Sequence, residues 1–206
     1  KHQPLLRKEG LKGRFSFPYL GNIKIVMKKQ YYYIITSLPS LSLSGELPIR
    51  KDDFLANCEK YLKKTDFSIL ESISLFDVEK DEVPFDIVRR FFGWERGVRN
   101  ALVRLRAEKL GLKPDEFVRG EIVDHSQTLL AEEAFNADSP LIAEEILNRA
   151  RWRHLDEMEF GHYFDIERLV VFFIKLQILE RISSFDAEEG RESLNAVVSQ
   201  GAADTD

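Results

Sequence analysis

An all-α bundle of about seven or eight helices is the fold class that the sequence predicts, on three observations. From Arg50 onward, apolar side chains recur at spacings of three and four. Prolines, glycines and capping acids punctuate that pattern at helix-length intervals. Strand-like composition is confined to "YYYIITSL", residues 31–38, and a single strand has no partner with which to build a sheet. The connections between helical patterns are short, as in bundles, and no internal repeat is present.

Residues 1–26 are basic and broken by Gly10, Gly13, Pro18 and Gly21, without the long apolar core of a signal peptide. They read either as a non-native or disordered leader or as an ordered basic arm. Met27 then opens "MKKQYYY", which has the form of a natural start. A single helical domain is expected over 27–198 and a disordered polar tail over 199–206. Tyr31, Tyr32 and Tyr33 suit a strand or the start of a buried helix, and at least two of the three are expected to be core aromatics.

In "RKDDFLANCEKYLKK", Phe54, Leu55, Cys58, Tyr61 and Leu62 share one face, with Asp52 or Asp53 placed to cap it. Phe67, Leu70, Ile73 and Leu75 extend the pattern. Pro84 opens a long helical pattern that ends at Gly111. Gly93 and Gly97 each cost its middle about 1 kcal/mol relative to alanine, so the segment is either two helices or one with a close crossing at Gly93. Pro114 starts a short piece. Asp124 can cap the helix that follows, and Asp138 and Ser139 precede Pro140. The Pro140 helix carries Leu141, Ile142, Ile146, Leu147, Ala150 and His154 at helical spacing and ends at Gly161. Asp165 begins the most apolar helix, and "DAEEGRESLNAVVSQ" supplies a last amphipathic one.

The formal charge is −5 and the pI near 5.5, which argues against a protein built to hold nucleic acid. The longest apolar stretch, Leu169 to Leu179, contains Lys175 and Gln177 and falls short of the ~20 residues that span a bilayer. Cys58 is the only cysteine, so no intramolecular disulfide is possible, and the residue reads as a small buried filler.

Glu159 and His162 have the Glu-x-x-His spacing of di-iron bundles. Those sites need two further glutamates on facing helices and a second copy of the motif, and the sequence has no second copy; Gly161 also breaks the helix inside the motif. Asp124, His125 and Ser126 are adjacent and so cannot converge as a triad. No phosphate-binding glycine loop occurs. No catalytic residue, cofactor or metal is therefore expected.

The segment from Arg89 to Lys109 stands out. Arg89, Arg90, Arg96, Arg99, Arg104, Arg106 and Lys109 face only Glu95 and Glu108, seven cations against two anions. With Trp152, set between Arg151 and Arg153, the six arginines make a candidate partner-contact group, because arginine and tryptophan dominate interface hot spots and arginine forks onto carboxylates. A solvated helix face with intrachain pairing is the plainer account of any single arginine.

"MKKQYYYIITSLPSLSLSGELPI", "NALVRLRAEKLGLKP" and "EFGHYFDIERLVVFFIKLQILERISSFDAEEGRESL" resemble a bacterial family of uncharacterised proteins encoded among V/A-type ATPase genes. Members of that family are similar to the C subunit of the rotary ATPase, called subunit d in vacuolar enzymes. The resemblance runs from about Met27 to Val198. It implies a C-subunit-like helical body acting as a non-catalytic central-stalk subunit, seated on the membrane rotor ring and receiving the foot of the rotor axle. Its location would be cytoplasmic, peripheral to the inner membrane through partner proteins only. The alternative from the residues alone is a helical adaptor or regulatory protein that docks an acidic protein partner.

Overall fold

The computed structural model describes residues 31–75, 84–119 and 124–184, and these contain seven α-helices, one 3₁₀ turn and no strand. The helices are α1 (Tyr32–Thr36), α2 (Lys51–Tyr61), α3 (Lys64–Glu71), α4 (Asp86–Lys109), α5 (His125–Phe135), α6 (Pro140–Glu159) and α7 (Ile166–Ser183), with the 3₁₀ turn at Pro114–Glu116 between α4 and α5. The all-α expectation holds. The leader at 1–26, the last amphipathic segment and the tail at 199–206 lie outside the described residues.

Helix α7 is the axis of the bundle. Its run of apolar residues has no polar face, so it must be surrounded, and α2, α3, α4 and α6 all pack on it. Leu169, Val170, Val171, Phe173, Ile174, Leu176 and Ile178 are fully buried there. Phe54 of α2 lies 5.1 Å from Phe172 and 5.4 Å from Phe173, ring to ring. Phe91 and Phe92 of α4 and Leu155 of α6 complete the main core. Each such side chain contributes about 1.5–3 kcal/mol by burial. A smaller second cluster joins Val98, Ala101 and Leu102 of α4 to Ala131 and Ala134 of α5 and Leu147 of α6.

Helix ends follow local chemistry. Asp124 makes a full capping box with Gln127, Ser139 caps α6 through Ile142 N–H with Pro140 in the first turn, and Asp165 caps α7 through Arg168 N–H. Helix α4 closes with Gly111 at φ +67°, where Leu112 N–H donates to Ala107 O at 2.9 Å and Gly111 N–H to Glu108 O at 3.1 Å. Those two bonds satisfy orphan carbonyls, and the positive φ favours glycine.

Several expectations need correction. Neither Asp52 nor Asp53 caps α2: both lie within its first turn, and the Lys51 N–H donates instead to Glu180 Oε1 of α7 at 2.7 Å. Helix α4 begins at Asp86, two residues after Pro84, and runs unbroken through both glycines. The close approach is at Gly97, where a Cβ would stand 2.1 Å from Gln127 Oε1, whereas nothing lies within 4 Å of one at Gly93. The tyrosine run forms α1 rather than a strand, and only Tyr31 is buried; Tyr32 and Tyr33 are 56% and 66% exposed. Leu141 and Ile142, expected on the apolar face of α6, are exposed in its first turn.

Candidate interaction site

The sequence-predicted contact group does not form one face. Arg89 pairs with Asp86 at 3.0 Å and Arg90 approaches the same carboxylate at 3.9 Å, both pairs being solvent-exposed. Exposed pairs of this kind contribute about 0–1 kcal/mol, so neither arginine is locked away from a partner. Arg96 is half-buried. Arg99 turns inward, donating to Glu95 Oε1 at 3.0 Å and to Leu75 O at 3.3 Å. Arg104 and Arg106 project from the other end of α4, and Arg106 borders a cleft of about 280 Å³ between α4, α5 and α6. A rise of 1.5 Å per residue puts roughly 22 Å between Arg89 and Arg104 along the axis.

Trp152 is half-buried beneath the Lys175 ammonium, which lies 5.4 Å from its ring. With Asn148, Arg149, Ile182, Leu41 and Leu43 it lines an open groove of about 640 Å³ between the 41–44 segment and helices α6 and α7.

Inside the body, charged groups are committed to one another. Glu95 of α4 is fully buried and takes both Nε and Nη2 of Arg151 from α6, at 3.0 and 2.9 Å. Arg151 Nη1 donates onward to Asn148 at 2.7 Å and Glu144 at 2.9 Å, and Glu144 also meets Arg181 of α7 at 3.3 Å. Burial alone would raise the Glu95 pKa, but the two guanidinium groups of Arg151 and Arg99 outweigh it and hold the carboxylate below its ordinary value. Lys175 bonds Asp156 and Glu159, each at 2.6 Å, although burial pulls its own pKa down.

That arrangement also decides the Glu159/His162 motif. Glu159 accepts from Lys175 and pairs with Arg168, while α6 ends at Glu159 and Gly161 turns the chain at φ +89°. His162 instead sits 2.7 Å from Asp165, with Glu167 close enough that one donor atom of each lies within 4.8 Å of the others. The set offers one nitrogen and two carboxylates. Asp165 is already employed as the α7 cap. Asp124, His125 and Ser126 are exposed, and the His125 N–H and Ser126 hydroxyl both donate to the Asp124 carboxylate.

The surface feature that the sequence reading missed is an aromatic corner. Tyr31 is its root: its N–H donates to Phe164 O at 2.6 Å, and its hydroxyl bonds Asp66 of α3. From that anchor Tyr32 packs on Phe164 at 4.5 Å between ring centres, and Tyr33 on Tyr61 of α2 at 4.7 Å. Phe160 and Tyr163 of the α6–α7 turn are 85% and 64% exposed. No local pattern signals it, because its ring pairs join α1 to α2 and to the α6–α7 turn.

Residues 130–202 match the sequence model of a family described as "Protein of unknown function (DUF2764)". No curated protein and no solved structure matches the chain. The matched segment begins within α5 and includes α6, the α6–α7 turn and α7. It therefore contains Arg151, Glu144, Lys175, Trp152 and the exposed Phe160 and Tyr163, and leaves Glu95 and the other α4 residues outside. No described helix is long and apolar enough to cross a membrane.

Proposed function

We propose that this chain is a non-catalytic helical subunit that works by surface contact. One observation carries the reading: rings at Tyr32, Tyr33, Phe160 and Tyr163 stand in solvent on a frame tied down by the Tyr31 contacts. Exposed aromatics held in place lose little entropy on docking, which suits them to interfaces. The buried carboxylates and guanidiniums of the Glu95 network act as struts between helices in this account.

The resemblance to V/A-type ATPase C subunits supplies the assembly. On that reading the protein joins the rotor axle to the membrane ring in the central stalk, transmits torque, and reaches the cytoplasmic face of the inner membrane only through those partners. The deciding experiment is affinity purification of the native V/A-type ATPase from the host, with quantitative mass spectrometry. Recovery of this chain in stoichiometric ratio to the axle subunit is expected, and its absence from intact complexes would remove the assignment. A free adaptor that docks an acidic protein is the second reading, favoured by Arg104 and Arg106, which project to solvent with no carboxylate partner among the described residues.

A further inference from the structure

The junction of α2 and α3 places its charges against helix electrostatics. Lys63 is the N-cap of α3 and Lys64 its first residue, so two ammonium groups stand at the positive end of a helix dipole, and no side chain caps that end. Lys60 lies in the last turn of α2, one residue before Tyr61. All three lysines are exposed, and neither Lys63 nor Lys64 has a carboxylate partner among the described residues. Intrachain pairing therefore does not account for Lys63 and Lys64. This basic knot adjoins the Tyr61–Tyr33 ring pair, and the patch continues through Tyr32 and Phe164 toward Tyr163 and Phe160.

We propose that the corner made by α1, the α2–α3 junction and the α6–α7 turn binds an acidic amphipathic helix of a protein partner. Its apolar stripe would lie on Tyr33, Tyr61 and Tyr32, and its carboxylates would meet Lys60, Lys63 and Lys64. The inference rests on the docking reading and not on the ATPase assignment. Charge complementarity selects the occupant: an anionic group at this site meets three exposed lysines, with the Asp66 carboxylate of the same turn already bonded to Tyr31 and Thr65. A lipid surface is the competing occupant, and the vesicle arm of the test separates it from a helix.

The test titrates the full chain with a synthetic helical peptide of about 18 residues, five turns, with leucine on one face and glutamate on the other. A companion peptide has lysine in place of glutamate, and vesicles of phosphatidylcholine with phosphatidylglycerol form the third arm. Saturable amide shifts at Tyr33, Tyr61 and Lys63 with the glutamate peptide are expected. The Lys63→Glu/Lys64→Glu variant should weaken binding about tenfold or more, and salt should weaken it further. Tyr33→Ser, on an exposed side chain, should weaken it without loss of fold. Equal binding of the lysine peptide, shifts centred on the Trp152 groove, no binding at all, or preferential sedimentation with the anionic vesicles would each overturn the proposal. Loss of the chain from purified ATPase complexes bears only on the ATPase assignment. Retention of the unmodified chain there, with no binding of the glutamate peptide by that chain, sinks this inference alone.

Discussion

Arg151 of α6 grips Glu95 of α4 with two parallel hydrogen bonds, and both side chains are almost wholly shielded from water. A buried pair with good geometry roughly offsets its own desolvation, while removing one member strands the other charge. Arg151→Ala is therefore expected to lower unfolding free energy by about 3–5 kcal/mol. Glu95→Leu combined with Arg151→Met should recover most of that loss. Urea unfolding of the three proteins measures both effects, and a double variant as weak as Arg151→Ala would contradict the argument.

The same carboxylate sets an acid limit. Burial opposes its ionisation, but Arg151 and Arg99 prevail, so its folded pKa lies below the ordinary glutamate value of about 4.3. A depressed acid contributes stability that is fully present above the unfolded pKa and is lost as pH falls through the folded one. Stability should hold from neutrality down to about pH 4.3 and then decline. In Glu95→Gln that decline should be shallower, which urea titrations at stepped pH would reveal.

Cys58 is completely buried on α2, and burial pushes its thiol up to about 12. The thiolate is the reactive form, so the native protein should resist a disulfide reagent at pH 8 and react within the dead time after unfolding. Rapid labelling of the native chain would show that α2 opens locally.

Tyr31 and its two neighbours should separate in a stability assay. Tyr31→Phe removes the hydroxyl bonded to Asp66 and is expected to cost about 1 kcal/mol. Tyr33→Ser removes an exposed ring and should shift stability by no more than about 0.5 kcal/mol. Equal losses at both positions would mean that the corner is structural.

How much of this was legible in the sequence depended on whether period or partner decided the outcome. The helices at Asp124, Ser139 and Asp165 were readable because their caps act within a few residues. The start of α2 was not, since its cap comes from Glu180, 129 residues away in sequence. The buried ion pair left a trace that went unread: Glu95 falls at helical spacing with Phe91, Val98 and Leu102, and Arg151 with Leu147, Leu155 and Met158, so both occupy core positions. A charge on an apolar stripe must meet its opposite. The aromatic corner depends on how the α6–α7 turn meets α1, which no local pattern specifies.

Gly93 and Gly97, one turn apart on α4, are expected to respond in opposite directions to the same substitution. At Gly93 a methyl group meets nothing, so alanine removes backbone entropy from the unfolded chain and should stabilise by up to about 1 kcal/mol. At Gly97 the methyl would overlap Gln127, whose Oε1 accepts the Asp124 N–H at 3.0 Å in the α5 capping box. Gln127 must either swing away and abandon that bond or push α5 off α4, at a cost of about 1–3 kcal/mol. Thermal unfolding of Gly93→Ala and Gly97→Ala reads the contrast. Gln127→Ala in the Gly97→Ala background should relieve part of the clash, since it removes the atoms that collide; if the double variant is no better than Gly97→Ala, the close approach lies elsewhere on α4.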